Sequence, residues 1–412
     1  MTLRRIELLI ALVIIVALSI SACAPAAPAP TPGKSEAAPT KASEPTKPAV
    51  EATKPAVEAT KPAAVTKAPE AAKPASEASK PEGPLPQTIN LATMSPGSAF
   101  NAIGTGLAKV ASDVGPIRTI VQPFAGPTAW IPQMVSNGKP EVGVMQLPEA
   151  WQAFTGKAMA GPTPPGITVP RPYEQAWDGL RLLLIGTNMN SGLLVRRDSK
   201  YQTQADLKGA RVSWGFKAGP GCILTTLSNL ALGGLTINDV QTVDVPAAAD
   251  AVRALGEGRL DAACAATGMG VLSEVDAQVG VRFLDTPRNP NFIKVAQSIQ
   301  PGGDIAIVKG GSTAGVPKDT GIWSYPTAVV VSTKMPDNVA YALVKIWWDN
   351  YQKLTPLHTS FQDWKPDLYV SKTATIPYHS GAIAFYKEKG AWSAEMDQIQ
   401  QQLLKGELPF LK

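Results

Sequence analysis

Histidine is almost missing from this chain of 412 residues, with His358 and His379 the only two, and cysteine is confined to Cys23, Cys222 and Cys264. No Cys-x-x-Cys pair and no Cys/His set with metal-ligand spacing occurs, which removes the usual zinc and iron–sulfur frameworks, and no metal or cofactor is expected. Neither histidine stands near a serine elbow, and no carboxylate pair has diagnostic spacing, so the common hydrolytic constellations are absent and no enzyme is expected. The glycine-rich stretch over 215–221 is not a phosphate-binding Walker A loop, because Lys217 precedes its final glycine. Charge of one sign is lacking too. The 38 Lys and Arg nearly balance 33 Asp and Glu, for a net charge of +5 that includes two arginines at the extreme N-terminus, which gives no footprint for nucleic acid.

Only one long hydrophobic run is present. Arg4 and Arg5 are followed by an apolar stretch from about Leu8 to Ile20 and then by Ser21-Ala22-Cys23, the three-part plan of a secretory signal, with an apolar stretch short of the ~20 residues that a membrane span needs. The small residues before Cys23 resemble the lipobox of bacterial lipoproteins. That resemblance implies cleavage after residue 22, acylation of Cys23, and attachment of an extracytoplasmic protein to a lipid bilayer.

Residues 23–86 are almost pure Ala, Pro, Lys, Glu, Thr and Ser. They contain Thr46-Lys47-Pro48-Ala49-Val50-Glu51-Ala52 followed by Thr53-Lys54-Pro55-Ala56-Val57-Glu58-Ala59. Without aromatics and with frequent proline, such a segment has too little to bury to offset ordering entropy, and it is expected to be a disordered, extended tether. Eight lysines against seven glutamates between Ala24 and Leu85 keep it solvated without making it a polyanion binder.

The remainder is longer than one compact core usually holds, so two lobes are expected. Strand patterns at 87–93, 118–121, 142–145 and 182–185 alternate with a helix marked by Phe100, Ile103, Leu107 and Val110, and another over about 128–136. The proline-rich 161–166 is expected to be a surface loop. A second set follows. It comprises a strand at 193–196, a helix start at 203–207, a strand at 210–214, a helix at 222–232, a strand at 242–245, a helix at 247–257 and a strand at 260–265. The chain then returns through Gly321-Ile322-Trp323-Ser324-Tyr325-Pro326, a strand at 327–331, and helices at 338–348 and 381–388. Such alternation predicts an α/β protein with mostly parallel sheets. The expected division is lobe one over 87–192, lobe two over 193–322 and lobe one again over 323–412. Two hinge crossings then place a ligand cleft at the carboxyl ends of the strands.

Four segments resemble the TAXI family of solute receptors for tripartite ATP-independent periplasmic (TRAP) transporters. They are residues 91–109; Val142-Gly143-Val144-Met145-Gln146; Ala205-Asp206-Leu207-Lys208-Gly209-Ala210-Arg211-Val212; and, most specifically, residues 376–386, beginning Ile376-Pro377-Tyr378-His379-Ser380-Gly381. The resemblance implies a type II periplasmic-binding-protein fold that closes on a small organic solute and delivers it to a TRAP-type permease. Family members carry Gly-Gly-Thr-Tyr-Tyr where this chain has Pro96-Gly97-Ser98-Ala99-Phe100, and Gly-Ser-Gly-Thr where it has Gly219-Pro220-Gly221-Cys222. Two polar anchors are thereby replaced, which fits a less polar solute as well as an organic acid or amino acid.

Ser95, Ser98 and Asn101 fall at the first strand-to-helix turn, where hydroxyls and free N–H groups bind anions and also cap helices. Phe100 stands in the same turn, at a family tyrosine position. Gln146 ends a buried strand at the expected cleft. Trp214, Gly215, Gly219, Gly221 and Cys222 form the opposing wall, Thr267 follows a strand of lobe two, and Tyr325 sits at the return crossing. Cys222 and Cys264 fit either a disulfide or two buried free thiols. The expected function is capture of a small-molecule solute for transport, with sensing or scaffolding on the same fold as the rival.

Overall fold

The computed structural model describes residues 80–159, 168–216 and 219–411. The expected signal segment over 1–22, Cys23, nearly all of the tether, the loop at 161–166 and Lys217 lie outside the described residues. The last tether residues, 80–86, have no regular structure. Asn338 donates to the Pro84 carbonyl at 3.0 Å, and the Lys80 ammonium stands over the Tyr341 ring.

The chain opens with β1 (Thr88–Thr93), α1 (Ala99–Val114), β2 (Arg118–Pro123), α2 (Pro127–Asn137), β3 (Val142–Gln146) and α3 (Leu147–Thr155). The α1 pattern works as its spacing requires. Phe100, Ile103, Leu107 and Val110 are all buried, Ser98 caps the first turn by accepting from Asn101 N–H, and Gly104 lets the helix approach β1, since a Cβ there would stand 2.1 Å from Thr93 Cγ2. Both β2 and β3 pair with β1 in parallel.

Two long strands organise everything else: β4 (Leu180–Arg196) and β10 (Thr320–Ser332). They pair antiparallel. The C-terminal part of β10, from Thr327 to Val330, also pairs with β3, whereas its N-terminal part pairs with β9 (Asp304–Val308). The C-terminal part of β4 pairs with β7 (Ala263–Ala266) and β8 (Val281–Phe283). Each long strand therefore runs from one half of the molecule into the other, and their shared register shifts between Pro326 and Ala328, where proline has no N–H to donate. The expected crossings at 192/193 and 322/323 fall inside these two strands.

The second half adds β5 (Arg211–Gly215), α4 (Gly221–Leu232), β6 (Gln241–Val245), α5 (Ala248–Gly256), α6 (Gly270–Val279) and α7 (Pro290–Ile299). β5 and β6 are parallel, and Val212 bridges to Ala262 just before β7. The predicted helix start at 203–207 is a single 3-10 turn, closed by a reciprocal Thr203/Asp206 capping box. After β10 come α8 (Asp337–Asp349), α9 (Ser380–Glu388) and α10 (Ala394–Leu403), which pack back on the first half.

The α/β class is as expected, but the sheets are not mostly parallel. Among the described residues three strand pairs are parallel and five antiparallel. Strand-helix alternation reports only local connections, and the two long strands enter the centre of the sheet in opposite directions. The strands read at 182–185 and 193–196 are one strand, whose polar middle, Thr187-Asn188-Met189-Asn190, imitates a break.

The family-like segment around His379 has a structural job. Gly381 N–H donates to His379 Nδ1, leaving Nε2–H to point at the Met335 carbonyl 3.0 Å away, and burial holds the ring below its ordinary pKa. The neutral imidazole caps α9 while Tyr378 bridges the Ser371 amide and the Tyr369 carbonyl.

Candidate functional site

Between the two halves lies a cavity of about 70 Å³. One wall comes from the β1–α1 turn through Met94, Ser95, Ser98 and Phe100, together with Gln146 at the end of β3. The other comes from Phe216, Gly219, Cys222, residues 246–249, Ala266 and Met269. Ser191 and Tyr325, from the two hinge strands, close the floor. Among the described residues no lining residue carries a charge. The lining is chiefly alanine, methionine and phenylalanine, with a few hydroxyl, thiol and amide groups.

Backbone geometry supplies the polarity that the side chains lack. Helices α1, α3, α4, α5 and α6 each contribute an N-cap or first-turn residue to the lining, and Ala125 immediately precedes the N-cap of α2. Of these six helix starts, only α1 has a side-chain cap. First-turn N–H groups have no partner within the helix, and the dipole adds partial positive charge there. The described lining is therefore apolar in most of its side chains and gathers several helix starts.

The halves meet through a short polar latch. Gln300, just after α7, donates from Nε2 to Gln146 Oε1 at 2.9 Å and to Thr225 Oγ1 at 3.3 Å, and its own Oε1 accepts from Trp323 Nε1 at 2.8 Å. Beside it the start of α4 is pressed against the start of α3. A Cβ on Gly221 would lie 2.0 Å from Gln146 Nε2 and 2.9 Å from Glu149 Oε2, so glycine is the residue that permits this approach.

Glu149 is fully buried under this contact. Tyr173 donates its hydroxyl to Oε1 at 3.0 Å, while Oε2 has no hydrogen-bond partner. Burial pushes its pKa up to about 8, against the opposing pull of the Tyr173 hydroxyl and of the Gly221 N–H, which lies nearby without completing a hydrogen bond to Oε2, so the carboxyl is largely neutral at pH 7. Tyr325 is buried beside the Ser191 and Thr225 hydroxyls, and burial raises its pKa.

Ser95, Ser98, Phe100, Gln146, Gly219, Cys222 and Tyr325, all singled out in the sequence, are brought together on the cavity wall. The others stand elsewhere. Asn101 turns back to β1, donating to Thr93 Oγ1 at 2.9 Å. Trp214 packs on the edge of the core, and Gly215 makes a left-handed turn beside Asp244. Gly221 belongs to the latch. Thr267 bonds the Asn190 carbonyl and lines a separate polar groove with Thr187, Asn188 and Asp363. Sequence reasoning missed Glu149 and Gln300. The available signal for Glu149 was a lone acid in the apolar run Leu147-Pro148-Glu149-Ala150-Trp151; for Gln300, a partner 154 residues distant left none.

Among the described residues no three His, Cys, Asp or Glu side chains are grouped to hold a metal, and no helix is long and apolar enough to cross a membrane.

Two α/β halves joined by paired crossing strands, with a cavity between them, define a periplasmic-binding-protein type of architecture. The chain belongs to the NMT1-like family, whose model matches residues 91–390. Similar solved structures include the periplasmic aliphatic sulphonate binding protein SsuA from Escherichia coli, 14% identical over 78% of this chain and 86% of that one, with a TM-score of 0.38. The periplasmic binding protein BugD is 12% identical over 77% and 95% of the two chains, with a TM-score of 0.45.

Proposed function

We propose that this protein is an extracytoplasmic solute receptor that captures a small organic solute, an organic acid or amino acid, between its halves and hands it to a TRAP-type secondary transporter. The observation that carries the reading is the convergence of six helix starts on a cavity whose described lining residues carry no charge. Such a site favours a small anionic group on a short apolar body, held by N–H donors instead of an arginine. Ser98 and Gln146 supply side-chain polarity from one half, and the Gly219–Cys222 turn faces them from the other. Ligand contacts available only when both halves touch it drive closure, and the Gln146–Gln300 bond latches the closed form. Anchoring through acylated Cys23, at the head of the Ala/Pro/Lys/Glu-rich tether, keeps the receptor beside its permease.

The test is a thermal-shift screen of the purified protein against amino acids, dicarboxylates, keto acids and aromatic acids, since a ligand that binds only the folded state raises Tm. A rise with one class, lost in Ser98→Ala or Gln146→Ala, is expected. No rise with any class, in a well-folded protein, refutes capture of these solutes and turns attention to sensing or scaffolding. For the anchor, Cys23→Ser is expected to move the protein from the membrane fraction to the soluble one.

A further inference from the structure

Two of the three cysteines meet beside the cavity, one on its wall and one buried behind it. Cys222 sits in the first turn of α4 and lines the cavity, and Cys264 lies in β7, fully buried. Backbone constraints hold both in place: Cys264 N–H donates to Ser213 Oγ at 2.8 Å and its strand pairs with β4 opposite Leu193, while the α4 turn is pressed against Gln146 and Glu149. The two sulfurs stand 2.6 Å apart, across a sequence separation of 42, against ~2.05 Å for a covalent bond. A metal-binding use has no support here. Among the described residues no third ligand is placed to complete a metal site.

We propose that Cys222 and Cys264 form a disulfide that is part of the cavity wall, tying the first turn of α4 to β7. Formation removes one hydrogen from each thiol and joins the sulfurs. The two electrons and two protons pass by exchange to a disulfide oxidant, which leaves as two thiols. In the cell this rests on the exported location proposed above. In the test tube it rests only on the geometry, so the two fail separately.

The cross-link replaces the Cys222 S–H at the cavity wall and the buried Cys264 S–H behind it with a fixed, non-donating pair, and it ties the first turn of α4 to β7. Tryptic digestion separates the partners cleanly, because Cys222 falls in peptide 218–253 and Cys264 in peptide 260–282.

The experiment is a non-reducing peptide map of the full chain, denatured with an alkylating agent present, before and after incubation with oxidised glutathione. The expected result is one linked species, two hydrogens lighter than the sum of the two peptides, released by reductant. Recovery of both peptides alkylated and separate after oxidation, or Cys222 carrying glutathione alone, overturns the proposal. Thermal denaturation gives an independent readout: reductant lowers the Tm of the oxidised wild type by roughly 5 °C or more, as expected for a cross-link closing a loop of this length. It leaves the double variant Cys222→Ser/Cys264→Ser unchanged. An equal reductant effect on both proteins also overturns the proposal.

Discussion

Replacing Glu149 with glutamine is expected to abolish one specific pH dependence of stability. The carboxyl is fully buried, its Oε2 lacks a partner, and its pKa rises from 4.5 to about 8 because desolvation penalises the charged form. The sign follows from linkage. In the unfolded chain Glu149 ionises near pH 4.5, whereas in the folded protein it keeps its proton up to about pH 8. The stability of the neutral state is therefore fully present below the unfolded pKa and is lost progressively as pH rises through that window. A shift of this size amounts to about 5 kcal/mol across the whole window, or roughly 1.4 kcal/mol per pH unit. Glutamine has nearly the same shape, keeps an oxygen to accept from Tyr173, and does not titrate. Denaturant unfolding of both proteins at pH 5, 6.5 and 8 checks the reasoning. The stability of wild type relative to Glu149→Gln should fall by about 4 kcal/mol between pH 5 and pH 8. Parallel curves at all three pH values would show that Glu149 is ionised in the folded protein, or hydrated, and would refute the account.

Tyr173→Phe removes the one side-chain donor to Glu149, so the pH at which the wild-type slope ends should move upward in the same denaturation series. Gly221→Ala places a methyl group against Gln146 and Glu149, and overpacking of this kind should cost about 1–3 kcal/mol and weaken solute binding by calorimetry, because the halves no longer close fully. Gln300→Ala leaves the Trp323 indole N–H and Gln146 Oε1 without their partner and should destabilise the folded protein by roughly 2–4 kcal/mol, read by chemical denaturation. Ser98→Ala removes the α1 cap and should cost about 1 kcal/mol in the same assay.

Local elements were legible where period and punctuation coincide. The β1 strand, the Met94-Ser95-Pro96-Gly97-Ser98 turn and α1 follow from an apolar run, a turn and a helical repeat, and the structure builds them in that order. Pairing direction was not legible, because β4 and β10 acquire their neighbours from segments far away in the chain and their polar centres look like loops. Helix α3 escaped notice for a different reason. Its start, Leu147-Pro148, directly follows the strand residue Gln146 with no intervening loop, and the proline-rich segment beyond it drew the boundary too early.

That omission explains the part of the site that was missed. Strand ends and small-residue turns can be found one at a time, so Ser98, Gln146, Gly219 and Tyr325 emerged from sequence and meet at one cavity. A latch is a relation between halves. Glu149 becomes informative only when Gly221 closes over it, and Gln300 only when Gln146 lies opposite. The same contact couples chemistry to motion, since pulling the start of α4 away from α3 uncovers Glu149 Oε2 and lets the carboxyl ionise in water. Closure and protonation at Glu149 are then linked in both directions, as any two equilibria sharing a group must be. A solute that stabilises the closed form should therefore bind more weakly as pH rises from 6 toward 9 in wild type, and Glu149→Gln should flatten that dependence. A pH profile of affinity identical in the two proteins would show that opening leaves Glu149 covered, and that closure turns on the Gln146–Gln300 bond alone.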